Sequence, residues 1–144
     1  MEPKTKYKVL FLCTGNHARS QIAEALLGLH GRDGFEASSA GSRPMDAVHP
    51  LTAAVLAEKG IDISSAAPKS VSQLEGKRFD YVITLCDDAR DECPVFPGES
   101  VRIHWGIPDP AAVTGPEDAV IEAFRAARDE IDRLIEGFVA SITG

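Results

Sequence analysis

The chain has 144 residues, 44% hydrophobic and 26% charged, which fits one domain over 1–144 whose core needs no disulfide staples. Its net charge of −7 argues against nucleic acid or an anionic membrane as partner. No apolar run reaches membrane-spanning length, and Lys4, Lys6 and Lys8 lead into a stretch too short for a secretory signal, so the expected compartment is the cytoplasm. Three cysteines, an odd number without a secretory signal, suit thiols with chemistry better than a structural disulfide framework.

Residues 7–12 predict a strand whose apolar run stops at Cys13. Over about 20–30, Ile22, Leu26 and Leu29 predict a helix with one apolar face. GRDG at 31–34 is a turn, and 35–39 predicts a second strand closed by Ala40 and Gly41. After a loop over 42–48, Pro50 starts and Gly60 stops a helix over 50–59. Residues 61–67 read as irregular and 69–74 as at most a short helix. FDYVITL at 79–85 predicts a third strand ended by Cys86, and 101–105 predicts a fourth. A Pro-rich loop over 106–116 leads into a long helix over about 116–142. Thr114 stands three residues before Glu117, the spacing of a capping box. Val120, Phe124, Ile131, Leu134, Phe138 and Ile142 form an apolar stripe that reads as core. Strands alternating with helices predict an α/β fold around a parallel sheet with right-handed crossovers. In such sheets ligands sit beyond the carboxyl ends of the strands. Cys13, Cys86 and the loop after Trp105 all fall at that edge.

The segment around which the chain is organised is CTGNHARS, 13–20, lying between the first strand and the first helix. Backbone N–H groups of Thr14, Gly15, Asn16, His17, Ala18, Arg19 and Ser20 can converge there on a tetrahedral oxyanion, favoured by the helix dipole. Arg19 adds a planar, permanently charged fork. Because amides hold the anion, the His17 side chain is expected to point outward. The same positive field should lower the Cys13 pKa into the ~3.5–7.5 range of activated cysteines, making it a nucleophile beneath its substrate. A lone Cys ending a strand would read as packing; the joint pattern Cys-x5-Arg-Ser reverses that reading.

Cys86 and Cys93, seven apart in LCDDARDECPVFPG, lack the paired spacing of a zinc site, and the four histidines show no ligand spacing, so no metal is expected. One beside the anion loop and one on a polar segment, they fit a thiol relay. Asp109-Pro110 alone is a turn, but opposite an oxyanion on Cys13 a carboxyl there could protonate a leaving oxygen. Trp105 reads as core or rim, and His49 and His104 carry no reading.

CTGNHARS, Asp109-Pro110 and TLCDDARDECPVFPG followed by HWGIPDP resemble the thioredoxin-coupled arsenate reductases, which share the low-molecular-weight tyrosine phosphatase fold. The likeness covers nearly the whole chain, and the Cys86/Cys93 pair with Pro94 is its specific part. It implies a three-layer sandwich of four parallel strands flanked by helices. It also implies Cys13 as nucleophile, Arg19 as oxyanion clamp, Ser20 as the hydroxyl supporting the thiolate, Asn16 as loop-shaping amide and Asp109 as general acid. Cys86 and Cys93 would form a redox-active disulfide reduced by thioredoxin, with no tightly bound cofactor. The substrate would be arsenate, with phosphate or sulfate competing, and the protein a monomer. Relatives often carry a Cys where this chain has Ala18. Some bind potassium near the loop through Asn16- and Glu24-like residues and an acid, where Lys69 stands here; the lysine ammonium would take that ion's place. Residues 87–92, DDARDE, can be helical, and residues seven apart in a helix are about 10 Å apart along the axis. A disulfide needs Cα atoms within ~7 Å, so the pair implies local unwinding.

Two other readings use the same loop. A phosphatase would leave Cys86 and Cys93 incidental, but Asp109-Pro110 is followed by Ala111 and Ala112, with no aromatic to hold a phosphotyrosine ring. A non-catalytic thiol sensor of oxidants would need no general acid, leaving Asp109 a turn residue.

Overall fold

The computed structural model describes residues 6–94 and 96–143, so Lys4 lies outside them. β1 (Tyr7–Cys13) pairs in parallel with β2 (Phe35–Gly41) on one side and β3 (Tyr81–Thr84) on the other. β4 (Val101–His104) extends the sheet beyond β3, giving the order β2-β1-β3-β4. The unbroken apolar run of β1 follows from its central place, where both faces are covered. Val9 and Phe11 enter a core with α1 (Arg19–Gly31) and α4 (Glu117–Thr143), while Leu10 and Leu12 pack with Leu74, Phe79 and Phe96 on the other face.

The architecture is the expected α/β sandwich of four parallel strands. One helical layer is thin, however: it consists of a 3-10 turn at Val71–Leu74 and the six-residue α3 (Asp87–Glu92). α2 (Pro50–Ala57) and α4 pack together on the opposite side. Arg128, buried in α4, donates to the Val55 carbonyl at 2.9 Å and to Glu58 at 2.6 Å, while Arg125 forks onto the same carboxylate. His30 at the end of α1 meets Asp132 of α4 at 2.6 Å, with Glu136 at 3.8 Å. This cluster of ligand-type atoms is invisible in sequence spacing; here it ties two helices together.

Several expectations shift. Leu29 is 43% exposed, and Ala23 and Leu27 take the buried places beside Ile22 and Leu26. On α4 the fully buried Ile135 was missing from the stripe, and Leu134 is only half-buried. Pro116, whose carbonyl accepts from Ala119 and Val120, holds the cap position assigned to Thr114. β3 is shorter than 79–85, because Phe79 and Leu85, though buried, lie outside the ladder. α2 is capped by the His49 ring, whose Nδ1 accepts from the Leu51 amide at 3.1 Å. Among the described residues no helix is long and apolar enough to cross a membrane.

The direction of winding reverses between β1 and β3, so a crevice opens at their carboxyl ends. Cys13 ends one strand and Cys86 follows the other by two residues.

Candidate active site

Residues 14–18 form a loop whose shape is set from outside. The Cys13, Thr14, Gly15 and His17 carbonyls accept from the amides of Ser42, Arg43, Met45 and His49 at 2.9–3.3 Å, and Thr52 Oγ1 also donates to His17 O. These bonds commit four of the carbonyls over 13–17 to the segment after β2. Ala18, at the N-cap of α1, has no side-chain oxygen for the first-turn amides, which keeps those donors for an anion. Asn16 has a φ of 51°, a left-handed conformation that asparagine tolerates. It is fully buried and saturated: its Nδ2 donates to Ser20 Oγ (2.8 Å) and Ser39 Oγ (2.9 Å), and its Oδ1 accepts from the Lys69 amide (2.9 Å). Gly41 matters for a different reason. A Cβ there would come within 2.4 Å of the Thr14 carbonyl, so only glycine lets the end of β2 approach the loop.

Arg19, 9% exposed, donates through Nη1 to the Ile107 carbonyl at 2.7 Å, and its Nη2 lies 3.7 Å from Asp109 Oδ2. Its Nε is buried with no partner among the described residues, a donor suited to an oxyanion. Asp109 makes the expected turn and also faces the loop arginine. Oδ1 accepts from the Ala111 amide at 2.9 Å and makes the turn, while Oδ2 faces Arg19.

Cys86 stands beside Cys13 and Thr14, and Cys93 lies at the far end of α3. Cys86 is the N-cap of α3; its Sγ accepts from the Ala89 amide at 3.4 Å and meets Thr14 Oγ1 at 3.3 Å. A hydrogen bond with Cys13 lowers the Cys86 pKa to about 5, helped by Thr14 and Ala89, and the same bond together with burial raises Cys13. This corrects the expectation of a lowered Cys13. Their contact favours ionisation of Cys86, the better supplied with donors, over Cys13, although Arg19 pulls Cys13 downward. Cys93 caps the other end of α3, half-buried, and donates to the Pro94 carbonyl at 3.5 Å; burial pushes its thiol up.

An alkylation experiment checks this ordering. Near neutral pH a small reagent is expected to label Cys86 first, with reactivity lost as pH falls through about 5, while Cys13 stays protonated and buried. Mass mapping in which Cys13 leads would overturn it.

A model of the low molecular weight phosphotyrosine protein phosphatase family matches residues 8–144. The chain belongs to that family. Within it, the chain is 38% identical over 133 residues to an arsenate reductase of Halalkalibacterium halodurans, covering 92% of this chain and 95% of that one. Among solved structures, the thioredoxin-dependent arsenate reductase of Corynebacterium glutamicum is 34% identical with a TM-score of 0.64, covering 92% of this chain and 63% of that one. Arsenate reductases solved in oxidised and phosphate-binding states are each 28% identical over 94% of this chain and 98% of theirs, with TM-scores of 0.80 and 0.72.

The potassium site implied for some of this family does not fit the residues present. Lys69 Nζ lies 3.9 Å from Glu24 Oε1, and the same oxygen accepts from Ser39 Oγ at 2.6 Å. One permanent cation already faces the carboxylate. Exchanging sodium for potassium at matched ionic strength should therefore leave melting temperature and turnover nearly unchanged, and Lys69→Asp should create a potassium requirement. Potassium-specific stabilisation of the wild type would count against this reading.

Of the residues singled out in the sequence, Cys13, Cys86, Arg19, Asp109 and the 14–20 loop meet at one crevice, and Cys93 lies at the far end of α3. His17 departs from expectation: its ring is half-buried with Nδ1 lacking a hydrogen-bond partner among the described residues, and burial lowers its pKa while Asp109 opposes this. Gln21, Ser39 and His104 went unread. Gln21, 3% exposed, donates to the Asn16 carbonyl at 3.1 Å, bracing the loop from inside α1. His104 bridges Thr84 Oγ1 (2.8 Å) and Asp87 Oδ1 (3.1 Å), latching α3 to the sheet. Each acts through partners 5 to 23 residues away, a distance at which no local pattern exists.

Proposed function

We propose that this chain reduces arsenate to arsenite by a three-thiol relay, with Cys13 as nucleophile, Cys86 and Cys93 as the redox pair, and thioredoxin as electron donor. The observation that carries the reading is the placement of the thiols. Cys13 and Cys86 lie close enough to shift each other's thiol, and Cys86 and Cys93 cap the two ends of one short helix at the carboxyl edge of the sheet. Hydrolysis of a phosphoester would need only the first of them. Reduction of As(V) to As(III) takes two electrons, which a single thiolate does not supply.

Arsenate binds the loop amides and Arg19. As Cys13 attacks arsenic, its proton passes to the Cys86 thiolate, and Asp109 protonates the oxygen that leaves as water. Cys86 then attacks the Cys13 sulfur. The sulfur–arsenic bond breaks with its electron pair on arsenic, the Cys86 proton goes to the departing oxyanion, and arsenite leaves a Cys13–Cys86 disulfide. Cys93 next attacks Cys86, frees Cys13 and presents the Cys86–Cys93 disulfide to the reductant. The thioredoxin-dependent relative from Corynebacterium glutamicum and the relative solved in a phosphate-binding state support the donor and the anion site.

Ala111 and Ala112 in the turn after Asp109 offer no aromatic platform, which disfavours a phosphotyrosine substrate. The deciding experiment maps disulfides by intact mass and peptide analysis before and after arsenate is added to dithiol-reduced protein, with arsenite measured in parallel. Stoichiometric arsenite with a Cys86–Cys93 disulfide is the expected result. Phosphate release from phosphoesters without arsenite would replace the reading with a phosphatase.

A further inference from the structure

Three buried side-chain atoms find no hydrogen-bond partner among the described residues: Arg19 Nε, His17 Nδ1 and Ser42 Oγ. The first two belong to the anion loop. Ser42 does not: it follows β2, and its amide is bonded to the Cys13 carbonyl at 3.3 Å. Ser42 lines a cavity of about 10 Å³ together with Cys13 and Cys93, and Leu12, Val71, Ala89 and Pro94 complete its lining. That volume is at the lower limit for one water. An unpaired hydroxyl among apolar walls is unfavourable, so the partner that justifies it belongs to another state of the site.

The relay contains a step that needs such a group. When Cys93 attacks Cys86, the Cys13–Cys86 bond breaks and Cys13 departs with the electron pair. One proton must leave Cys93 and one must reach Cys13. Burial keeps Cys93 protonated, and its hydrogen now goes to the Pro94 carbonyl, an acceptor that cannot take it as a base.

We infer that Ser42 carries this proton: its oxygen accepts the Cys93 hydrogen while its own hydrogen passes to the departing Cys13 sulfur. The sum is balanced with no outside base. Cys93 thiol and the Cys13–Cys86 disulfide become Cys13 thiol and the Cys86–Cys93 disulfide. The inference rests on the relay proposed above. Among the described residues, the titratable groups that share a groove with Cys93 are Arg90 of α3 with Arg102 and His104 of β4, and that groove is separate from the Ser42 cavity. None of them lines the Ser42 cavity.

The test is a single-turnover reaction with arsenate, quenched by acid and alkylation at successive times and mapped for both disulfides. Formation of the Cys86–Cys93 bond is read against arsenite release in the same sample. For Ser42→Ala that ratio should fall about 100-fold at neutral pH, the scale of general acid–base catalysis. The deficit should close only well above the ordinary thiol pKa of about 8.5, because burial raises the Cys93 thiol and delays its unaided ionisation. Ser42→Thr should restore the rate. On wild-type protein the second exchange should show a normal solvent deuterium isotope effect, a readout that needs no variant to fold. An unchanged ratio across the pH range, or no isotope effect in the wild type, overturns the inference. If the wild type never forms the Cys86–Cys93 bond, the relay itself fails, an outcome separate from either of these.

Discussion

Cys93→Ser should release one arsenite per molecule and then stop, trapped with a Cys13–Cys86 disulfide that thioredoxin reduces poorly. The reason is geometric. Cys86 and Cys93 cap opposite ends of α3, about 10 Å apart along a helix axis, whereas a disulfide brings Cα atoms within ~7 Å. The productive bond forms only if α3 unwinds, which carries Cys86 away from the buried Cys13 and toward solvent. The cost should be small, since a six-residue helix is marginal on its own and closing a short loop loses little entropy. What holds α3 is its first turn: Asp87 on the His104–Thr84 bridge, and Ala89 on the Cys86 sulfur. Oxidation removes that last acceptor. Hydrogen exchange over 84–97 should accordingly be much faster in the oxidised protein, with the sheet unchanged. Normal multiple turnover by Cys93→Ser with thioredoxin as sole donor would sink the relay.

Arg19→Lys should cut arsenite formation by about 10²–10³-fold, the scale of losing one preorganised oxyanion donor. A lysine keeps the charge but not the fork. Arg19 uses Nη1 to hold the Ile107 carbonyl and Nη2 to face Asp109, while its buried Nε has no partner among the described residues, as an oxyanion clamp requires. An ammonium cannot meet all three at once, so the variant loses the clamp and loosens the acid-bearing loop together. The buried Ile107 carbonyl left without its donor should cost about 1–3 kcal/mol of stability. Single-turnover arsenite release and thermal melting, measured side by side, separate the two effects. A near-wild-type rate would remove Arg19 from the site.

Much of this was legible in the chain because it is local. A strand that stops at Cys13, five loop residues and a helix opening at Arg19 require only neighbours in sequence, so that strand–loop–helix unit could be read directly. The parallel sheet followed from alternating elements, and the common edge of Cys13, Cys86 and Asp109 followed from the rule that such sheets present their sites at strand ends. The helices were found with small errors of face: Leu29 for Leu27, and Ile135 overlooked, since either assignment satisfies a 3.6-residue period.

The charge on the sulfurs, by contrast, was decided by packing. The sequence places Cys13 beneath amides and Arg19, and from that alone its thiol should be the acidic one. Folding brings Cys86 into hydrogen-bond contact across 73 residues of chain and adds Thr14 and Ala89 to the Cys86 side, moving the negative charge from one sulfur to the other. The Lys69–Glu24 pair and the Ser42 cavity are of the same kind. Residue types and short spacings settle which chemistry the chain can hold. Which atom carries the charge or the proton depends on distances of 3 to 4 Å between residues remote in sequence, and only the folded chain sets those.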